Sequence, residues 1–217
     1  MLEKPQLSRS QIVANAIRDK IIDGDLKPQT RLSEAKLCEQ FGVSRNTLRE
    51  GFRLLTQEGI LDYIPNRGVW VALPDAHSIM DIYRLRKLIE TEAIREAYPH
   101  HPALQDAQRA IESAHQNQLE QNWQQVGTAN IQFHTAIVHL ADSPRFDQIH
   151  HNICIELRLA FSHLSNQKML HQPYIDQNER ILHHIKQGKF QQAIVLLDHY
   201  LDMSLRTILG ELARLSQ

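Results

Sequence analysis

The sequence predicts a mainly α-helical protein in two parts. Residues 1–73 predict three helices with a short hairpin, and residues 74–217 predict an all-α antiparallel helical bundle. Residues 1–72 carry 11 basic and 9 acidic residues, whereas residues 73–217 carry 13 and 16. All 13 histidines follow residue 76. Because domains with separate roles differ in composition, these two shifts place a domain boundary near residue 73.

The composition excludes a membrane protein. Hydrophobic residues make up 42% and charged residues 23% of the chain, values that are ordinary for a globular protein. The longest apolar runs, such as Ala193–Leu197, are too short to span a bilayer. The first residues lack the apolar core of a signal peptide. We therefore expect a cytoplasmic protein with no membrane partner.

The segment around Gly42 predicts two helices joined by a tight turn. Ser33 begins the first helix, and Gly42 ends it in a left-handed conformation that only glycine adopts cheaply. Ser44 is a suitable N-cap for the following helix. That helix buries one apolar face and presents a polar face that carries Arg45, Asn46, Arg49 and Arg53.

A basic hairpin follows these helices. Ile60–Ile64 and Val69–Val71 predict two short strands, and Pro65–Gly68 predicts the turn between them. Together these elements make a winged helix-turn-helix, in which the helix after the turn enters the major groove of DNA. Arginine pairs there with guanine through two hydrogen bonds, while Arg67 at the hairpin tip can reach a phosphate. The sequence therefore predicts double-stranded operator DNA as a partner.

The stretch from Arg31 to Gly68 resembles the winged-helix domain of the GntR family of bacterial regulators. The segments VSRNTLRE, LLTQEGIL and PNRG carry this resemblance. Ala35 stands where the fatty-acid-responsive branch has an arginine, which implies a different operator. The resemblance implies DNA contacts from eight residues, namely Arg31, Ser44, Arg45, Asn46, Thr47, Arg49, Arg67 and Gly68.

The second part predicts helices throughout. Prolines and Gly188 separate six stretches with helical periodicity, which cover residues 76–98, 101–118, 123–141, 143–164, 173–187 and 190–213. The last stretch carries a long apolar stripe suited to the core of an antiparallel bundle. Bundle interiors are natural places for a ligand pocket lined from several helices.

This second part resembles the FCD domain, the helical ligand-binding domain of the FadR-type branch of the same family. Tyr83–Glu90, Phe133–His134 and Ile181–Ala193 carry the resemblance. It implies a pocket in which Arg86, beside Glu90, binds the carboxylate of a small effector, because arginine suits carboxylates in general.

Many members of that branch hold a divalent metal with one aspartate and three histidines. The corresponding positions of this chain are Asn130, His134, Asn178 and Tyr200. Neutral Asn and Tyr are poor transition-metal ligands, so we expect no cofactor, with Asn130 and His134 as ligands only if a metal is present. We expect the four positions to bind the effector directly, with Arg86 and Arg158 as cations. In the alternative interpretation, His134 is a satisfied core histidine and Arg158 a surface residue.

The whole chain therefore predicts a homodimeric DNA-binding transcription regulator, a repressor rather than an activator, and not an enzyme. A two-fold dimer matches a palindromic operator, and the small carboxylate effector modulates operator binding. Two alternatives remain open. One is a metal-dependent helical enzyme that uses the histidines. The other is a DNA-binding protein whose second domain serves only dimerisation.

Overall fold

A computed structural model of the protein describes residues 7–22, 24–164 and 166–215. Its contacts divide the chain into two units. The first unit comprises the described residues up to Pro74 together with Ile155–His163, and the second comprises Asp75–Cys154 and the described residues from Leu164 onward. Ile155 and Leu159 are buried in the core of the first unit, which explains the placement of their segment. The composition shift near residue 73 does not indicate that Ile155–His163 belongs to the first unit.

The first unit has the predicted helices and hairpin, with one additional strand. Its elements are α1 (Arg9–Ile22), β1 (Arg31–Leu32), α2 (Glu34–Phe41), α3 (Arg45–Gln57), β2 (Leu61–Ile64) and β3 (Gly68–Val71). The strand β3 lies between β1 and β2 in an antiparallel sheet. Helices α1 and α3 pack together around fully buried Ile17, Leu48 and Leu55. The two-residue β1 is too short to give a periodic signal.

The turn between α2 and α3 forms as the sequence predicts. The Ser33 hydroxyl caps α2 by accepting a hydrogen bond from the Lys36 amide at 3.4 Å. Gly42 ends α2 with φ 61° and ψ 39°, the left-handed conformation that glycine adopts without a steric cost. Ser44 then has an extended backbone and caps α3. These local choices fix the direction in which α3 leaves the turn.

The secondary structure of the second unit consists of helices throughout its described parts. Its elements are α4 (Ala76–Glu96), α5 (Ala103–Leu119), α6 (Trp123–His139), α7 (Pro144–His163, which continues into the first unit), α8 (Gln167–His171), a 3₁₀ turn (Gln172–Tyr174), α9 (Ile175–Lys186) and α10 (Phe190–Leu215). No helix within the described ranges is long and apolar enough to cross a membrane. The predicted all-α bundle is thus confirmed, and the five-residue α8 is an addition.

Five helices of the second unit enclose its interior. Helix α4 packs against α6, α6 against α5, α5 against α9, α9 against α10, and α10 again against α4. Apolar side chains fill most of this ring. Several polar side chains from α4, α6, α9 and α10 are nevertheless buried, among them Arg86, Glu90, His134, Asn178 and Ser204. Buried polar groups need partners, so this cluster calls for an account of its hydrogen bonds.

Candidate nucleic-acid interface and buried polar cluster

The first turn of α3 presents polar side chains to solvent. Arg45, Asn46 and Arg49 are exposed, whereas the opposite face of α3 is buried. The Ser44 hydroxyl accepts a hydrogen bond from the Thr47 amide at 3.2 Å and lies 2.9 Å from the Thr47 hydroxyl. The cap thus orders the turn that bears the predicted contact residues, and leaves Arg45 and Asn46 at the exposed start of the helix.

Glu34, at the start of α2, holds the guanidinium of Arg49. Arg49 Nε lies 3.1 and 3.2 Å from the two carboxylate oxygens of Glu34, and Arg49 Nη2 lies 3.1 Å from Oε2. Because 63% of the Arg49 side chain remains exposed, the pair is open to solvent. Sequence reasoning missed Glu34, since a pairing across 15 residues between two helices leaves no local signal.

The wing brings Arg31, Arg67 and Gly68 to one end of the small sheet. Asn66 and Gly68 have φ angles of 63° and 93°, and the Arg67 amide donates to the Ile64 carbonyl at 3.0 Å, which closes the turn. The side chain of Arg67 is exposed. The position of a Cβ on Gly68 would lie 3.7 Å from Arg31 Nε, so the two predicted contacts are neighbours. This sheet end is therefore basic and solvent-facing.

A buried ion pair lies at the centre of the second unit. Arg86 Nε donates to Glu90 Oε1 at 2.7 Å, and the residues are 4% and 0% exposed. Burial alone raises the pKa of Glu90, but the Arg86 charge and the hydrogen bond from His134 outweigh it and lower that pKa to about 2. Glu90 is therefore a carboxylate with both oxygens paired, as a buried charge requires.

His134 is oriented by Glu90 and keeps one nitrogen without a partner. Its Nδ1 lies 2.6 Å from Glu90 Oε2, and because the carboxylate can only accept, Nδ1 carries the proton. Burial lowers the pKa of His134, which keeps the ring neutral. Nε2 is then a bare acceptor, buried and without a hydrogen-bond partner among the described residues. The Tyr200 ring lies beside it, with centroids 4.9 Å apart.

Asn130 joins Asn178 and Tyr200. Its Oδ1 accepts from Asn178 Nδ2 at 2.8 Å and from the Tyr200 hydroxyl at 2.9 Å. Asn178 Oδ1 therefore points away from Asn130, and it is buried with no partner in the described part of the chain. With His134, the structure thus brings together the four residues that the resemblance indicated, although they come from three helices.

This donor set does not fit a divalent transition metal. Both lone pairs of Asn130 Oδ1 are already used by hydrogen bonds, and a protonated tyrosine hydroxyl is a poor ligand. Burial raises the pKa of Tyr200 well above its usual value, so its hydroxyl stays protonated. Across residues 7–22, 24–164 and 166–215, no three His, Cys, Asp or Glu side chains form a group that could hold a metal.

The residues around Arg86 and Glu90 differ in part from the predicted effector-binding residues. Arg158 lies in Ile155–His163 and so belongs to the first unit, whereas the other predicted effector residues belong to the second. Tyr83 was missed: its ring lies 5.0 Å from Arg86 Cζ, and its hydroxyl lies 2.6 Å from Ser204 Oγ. His150 was also missed, with Nε2 3.9 Å from Glu90 Oε1. The contacts of Tyr83 with Ser204 and of His150 with Glu90 join distant helices and have no signature in the sequence, whereas Tyr83 and Arg86 lie three residues apart on α4.

Two family models match the chain. "Bacterial regulatory proteins, gntR family" covers residues 9–71, and "FCD domain" covers residues 81–203. The crystal structure of a GntR transcriptional regulator from Rhodococcus sp. RHA1 is 35% identical, with a TM-score of 0.87 over 94% of this chain and 99% of that one. Escherichia coli McbR/YncC shares the fold at 22% identity, with a TM-score of 0.79 over 94% and 98% of the two chains.

Curated relatives match over shorter stretches. The Nta operon transcriptional regulator of Aminobacter aminovorans is 38% identical over 71 residues, which are 33% of this chain and 34% of that protein. The Glc operon transcriptional activator of Escherichia coli K12 is 36% identical over 103 residues, 40% and 41% of the two chains. The chain thus spans about a third of the length of the first curated relatives that it matches.

A winged helix-turn-helix combined with an all-helical domain defines a DNA-binding transcription regulator rather than an enzyme. The two matched domains follow one another along most of the sequence. The chain belongs to the GntR family of bacterial regulatory proteins, in the group whose members carry an FCD domain.

Proposed function

We propose that the chain binds a palindromic operator as a homodimer and acts as a repressor in the cytoplasm, where operator DNA is accessible. Its operator affinity changes when a small carboxylate effector binds to the FCD domain. The observation that carries the proposal is the buried Arg86 guanidinium. A buried cation with unused donors beside polar groups in a helical bundle fits an anionic ligand.

The DNA-binding part of the proposal rests on the polar turn of α3 and on the wing. Arg45, Asn46, Thr47 and Arg49 would meet base edges or phosphates in the major groove, with the amide and hydroxyl of Ser44 at the backbone. Arg31, Arg67 and Gly68 would contact the flanking backbone or minor groove. One α3 covers a short half-site, so a two-fold dimer doubles the contacts and fixes the half-site spacing.

The effector part rests on the geometry around Arg86. Its Nε bonds Glu90, while neither terminal Nη has a hydrogen-bond partner among the residues that the structure describes. The Tyr83 ring lies 5.0 Å from Arg86 Cζ, within the range of a cation–π contact. Two parallel N–H groups suit a carboxylate, and Asn130, His134, Asn178 and Tyr200 would bind the rest of the ligand. The effector acts through different affinities for the operator-competent and operator-incompetent states.

The test begins with selection of operator duplexes from a random library, followed by fluorescence anisotropy with a panel of small carboxylic acids. We expect at least one acid to change operator affinity by about fivefold or more, within the usual range of allosteric coupling. The double variant Arg86→Met/Glu90→Gln removes both buried charges together and so avoids an unpaired one. It should bind the operator as the wild type does and show no response to the acid.

Two results would contradict the proposal. A normal response in the double variant would remove Arg86 from the effector site. No response to any acid, in a protein that still binds its operator, would favour a second domain that serves only dimerisation.

A further inference from the structure

Among the buried hydrogen-bond acceptors of the second unit that have no donor in the described part of the chain, two lie in the polar cluster around Glu90 and Asn130. They are His134 Nε2 and Asn178 Oδ1, on side chains that are 2% and 3% exposed. We refer to them as the acceptor pair. Acceptors removed from water without a donor are costly, and such atoms in a native protein call for a partner from outside the chain, such as an ordered water, an ion or a ligand.

The acceptor pair borders one small region. His134 and Asn130 lie one turn apart on α6, so their side chains share a face. Asn178 is hydrogen-bonded to Asn130 at 2.8 Å, and Tyr200, bonded to the same Asn130 oxygen, has its ring 4.9 Å from the His134 ring. Both acceptors therefore belong to side chains that contact Asn130 or Tyr200, which are hydrogen-bonded to each other.

The charges of the cluster decide what kind of donor fits. Among the described residues, Arg86 and Glu90 are the fully buried side chains with a formal charge, and they cancel. His134 donates to Glu90 without adding a charge, because Arg86 already balances the carboxylate. A carboxylate ligand on Arg86 alone would leave one uncompensated negative charge inside the bundle. Such a charge is unfavourable unless a cation accompanies it.

We propose that the effector is an amino acid in its zwitterionic form, whose carboxylate binds the terminal nitrogens of Arg86 and whose ammonium group donates to the acceptor pair. An ammonium has three donors and can satisfy both acceptors, whereas a hydroxyl has one. It also restores neutrality in the buried cluster. The side chains that do not suit a metal do suit an ammonium group, because an imidazole nitrogen and an amide oxygen accept hydrogen bonds well. The inference rests on the proposed function and specifies the chemistry of its effector.

The experiment uses the full chain and matched sets of compounds. Each of the twenty common amino acids is compared with its 2-hydroxy acid, its carboxylic acid without the 2-substituent, and its amine without the carboxylate, as in L-alanine, L-lactate, propionate and ethylamine. Thermal shift screens the panel, since a ligand of the native state stabilises it, and isothermal titration calorimetry measures Kd. We expect one amino acid to bind about tenfold or more tightly than its three analogues, equally with and without EDTA.

Variants connect the binding to the acceptor pair. Asn178→Leu removes one acceptor, and we expect it to weaken amino-acid binding about tenfold while binding of the simple carboxylic acid is unchanged. Asn117→Leu is the matched control, because Asn117 bonds the Ser113 carbonyl of its own helix α5 and lies outside the cluster. Asn178→Ala, which also lacks the acceptor, serves the same purpose if the leucine variant does not fold.

Outcomes of these experiments separate the two proposals. If the hydroxy acid or the simple acid binds as tightly as the amino acid, the inference is wrong while the proposed function stands. Binding that EDTA abolishes, or that Asn178→Leu leaves intact, also overturns the inference. If no carboxylic acid in the panel binds or alters operator affinity, the proposed function itself fails.

Discussion

Arg49 carries a partner of its own before DNA arrives. The Glu34 carboxylate lies 3.1–3.2 Å from two of its nitrogens, so a duplex that contacts Arg49 as proposed would replace that carboxylate by base edges or phosphates. An exposed ion pair is weak, and its replacement costs little. The pair nevertheless fixes the guanidinium on the side of α3 that carries the other polar residues.

We predict that Arg49→Ala weakens operator binding by about 1–3 kcal/mol, because hydrogen bonds to base edges are lost. Anisotropy titrations at fixed salt, with the operator and with a random duplex, measure the change. Glu34→Gln is the matched variant: it keeps Arg49, removes the neighbouring negative charge, and should tighten binding to both duplexes. If Arg49→Ala bound the operator and the random duplex as the wild type does, Arg49 would not be a DNA-contacting residue.

His150 makes the second unit sensitive to acid. It is buried with Nε2 3.9 Å from Glu90 Oε1 and Nδ1 3.5 Å from Cys154 Sγ. Burial lowers the pKa of His150 to about 4, although the Glu90 charge opposes the shift. As the pH falls from 6.5, the pKa of a histidine in an unfolded chain, to about 4, the unfolded chain binds a proton that the folded chain does not bind.

We therefore predict that the free energy of unfolding decreases as the pH is lowered through this window. The decrease is up to about 1.4 kcal/mol per pH unit for each buried histidine with a lowered pKa. Urea denaturation between about pH 7 and about pH 5 measures the slope. His150→Gln lacks the titrating ring and should show a smaller slope. An equal slope in that variant would assign the effect to other groups.

At the scale of elements, two glycines within helices have opposite roles. Gly127 lies in α6, where an added Cβ would sit 2.6 Å from Nε2 of the buried His171 on α8. Gly210 lies in α10, exposed, and beyond its own turn of helix no described residue comes within 4 Å of an added Cβ. The first glycine allows two helices to approach closely, while the second only weakens its own helix.

We predict that Gly127→Ala destabilises the protein by about 1–3 kcal/mol, because the methyl group displaces a packed side chain. Gly210→Ala, the matched substitution, should stabilise it by about 0.5–1 kcal/mol through helix propensity. Chemical denaturation of both variants gives the comparison. Stabilisation by both substitutions would mean that α8 moves aside at no cost.

The elements show which parts of the fold the sequence could predict. Long periodic stretches such as those of α4 and α10, and capped turns such as Ser44, have strong local signals, and the structure has them. The strand β1 has two residues and α8 has five, so neither completes enough periods to be recognised. Both form because neighbouring elements, β3 and α6, offer them a surface.

The site divides along the same line. Resemblance to the family was enough to choose Asn130, His134, Asn178 and Tyr200, which lie on three helices. The pairings across the bundle, such as that of His134 with Glu90, decide which of their atoms lack hydrogen-bond partners. Only the three-dimensional structure reveals these pairings. The same holds for Glu34 and His150, which touch their partners across 15 and 60 residues.

At the scale of the whole molecule, the core of the first unit depends on residues far along the chain. Ile155 and Leu159 are each 1% exposed within the cluster that also contains Leu48 and Leu55 of α3. Helix α3, which we propose contacts DNA, is therefore stabilised by a segment that follows it by about a hundred residues.

We predict that Leu159→Ala destabilises the first unit by about 2–5 kcal/mol, as expected for a cavity in a packed core. Operator binding should be lost at a lower temperature than in the wild type. Val195→Ala, at a position that is 59% exposed on α10, is the control and should change stability by about 0.5 kcal/mol or less. If the two variants unfolded alike, the buried leucine would have no role in that core.

The pairing of Glu34 with Arg49 also bears on how such a regulator searches a chromosome. About a million or more wrong sites compete with one operator, and time spent on them delays its discovery. If Arg49 contacts DNA as proposed, any stretch of the genome must first separate the two side chains, and the operator compensates with base contacts that other DNA does not offer. A carboxylate that weakens every encounter by the same amount leaves the ratio of operator to nonspecific affinity unchanged, but it shortens the time that the protein spends on each wrong site.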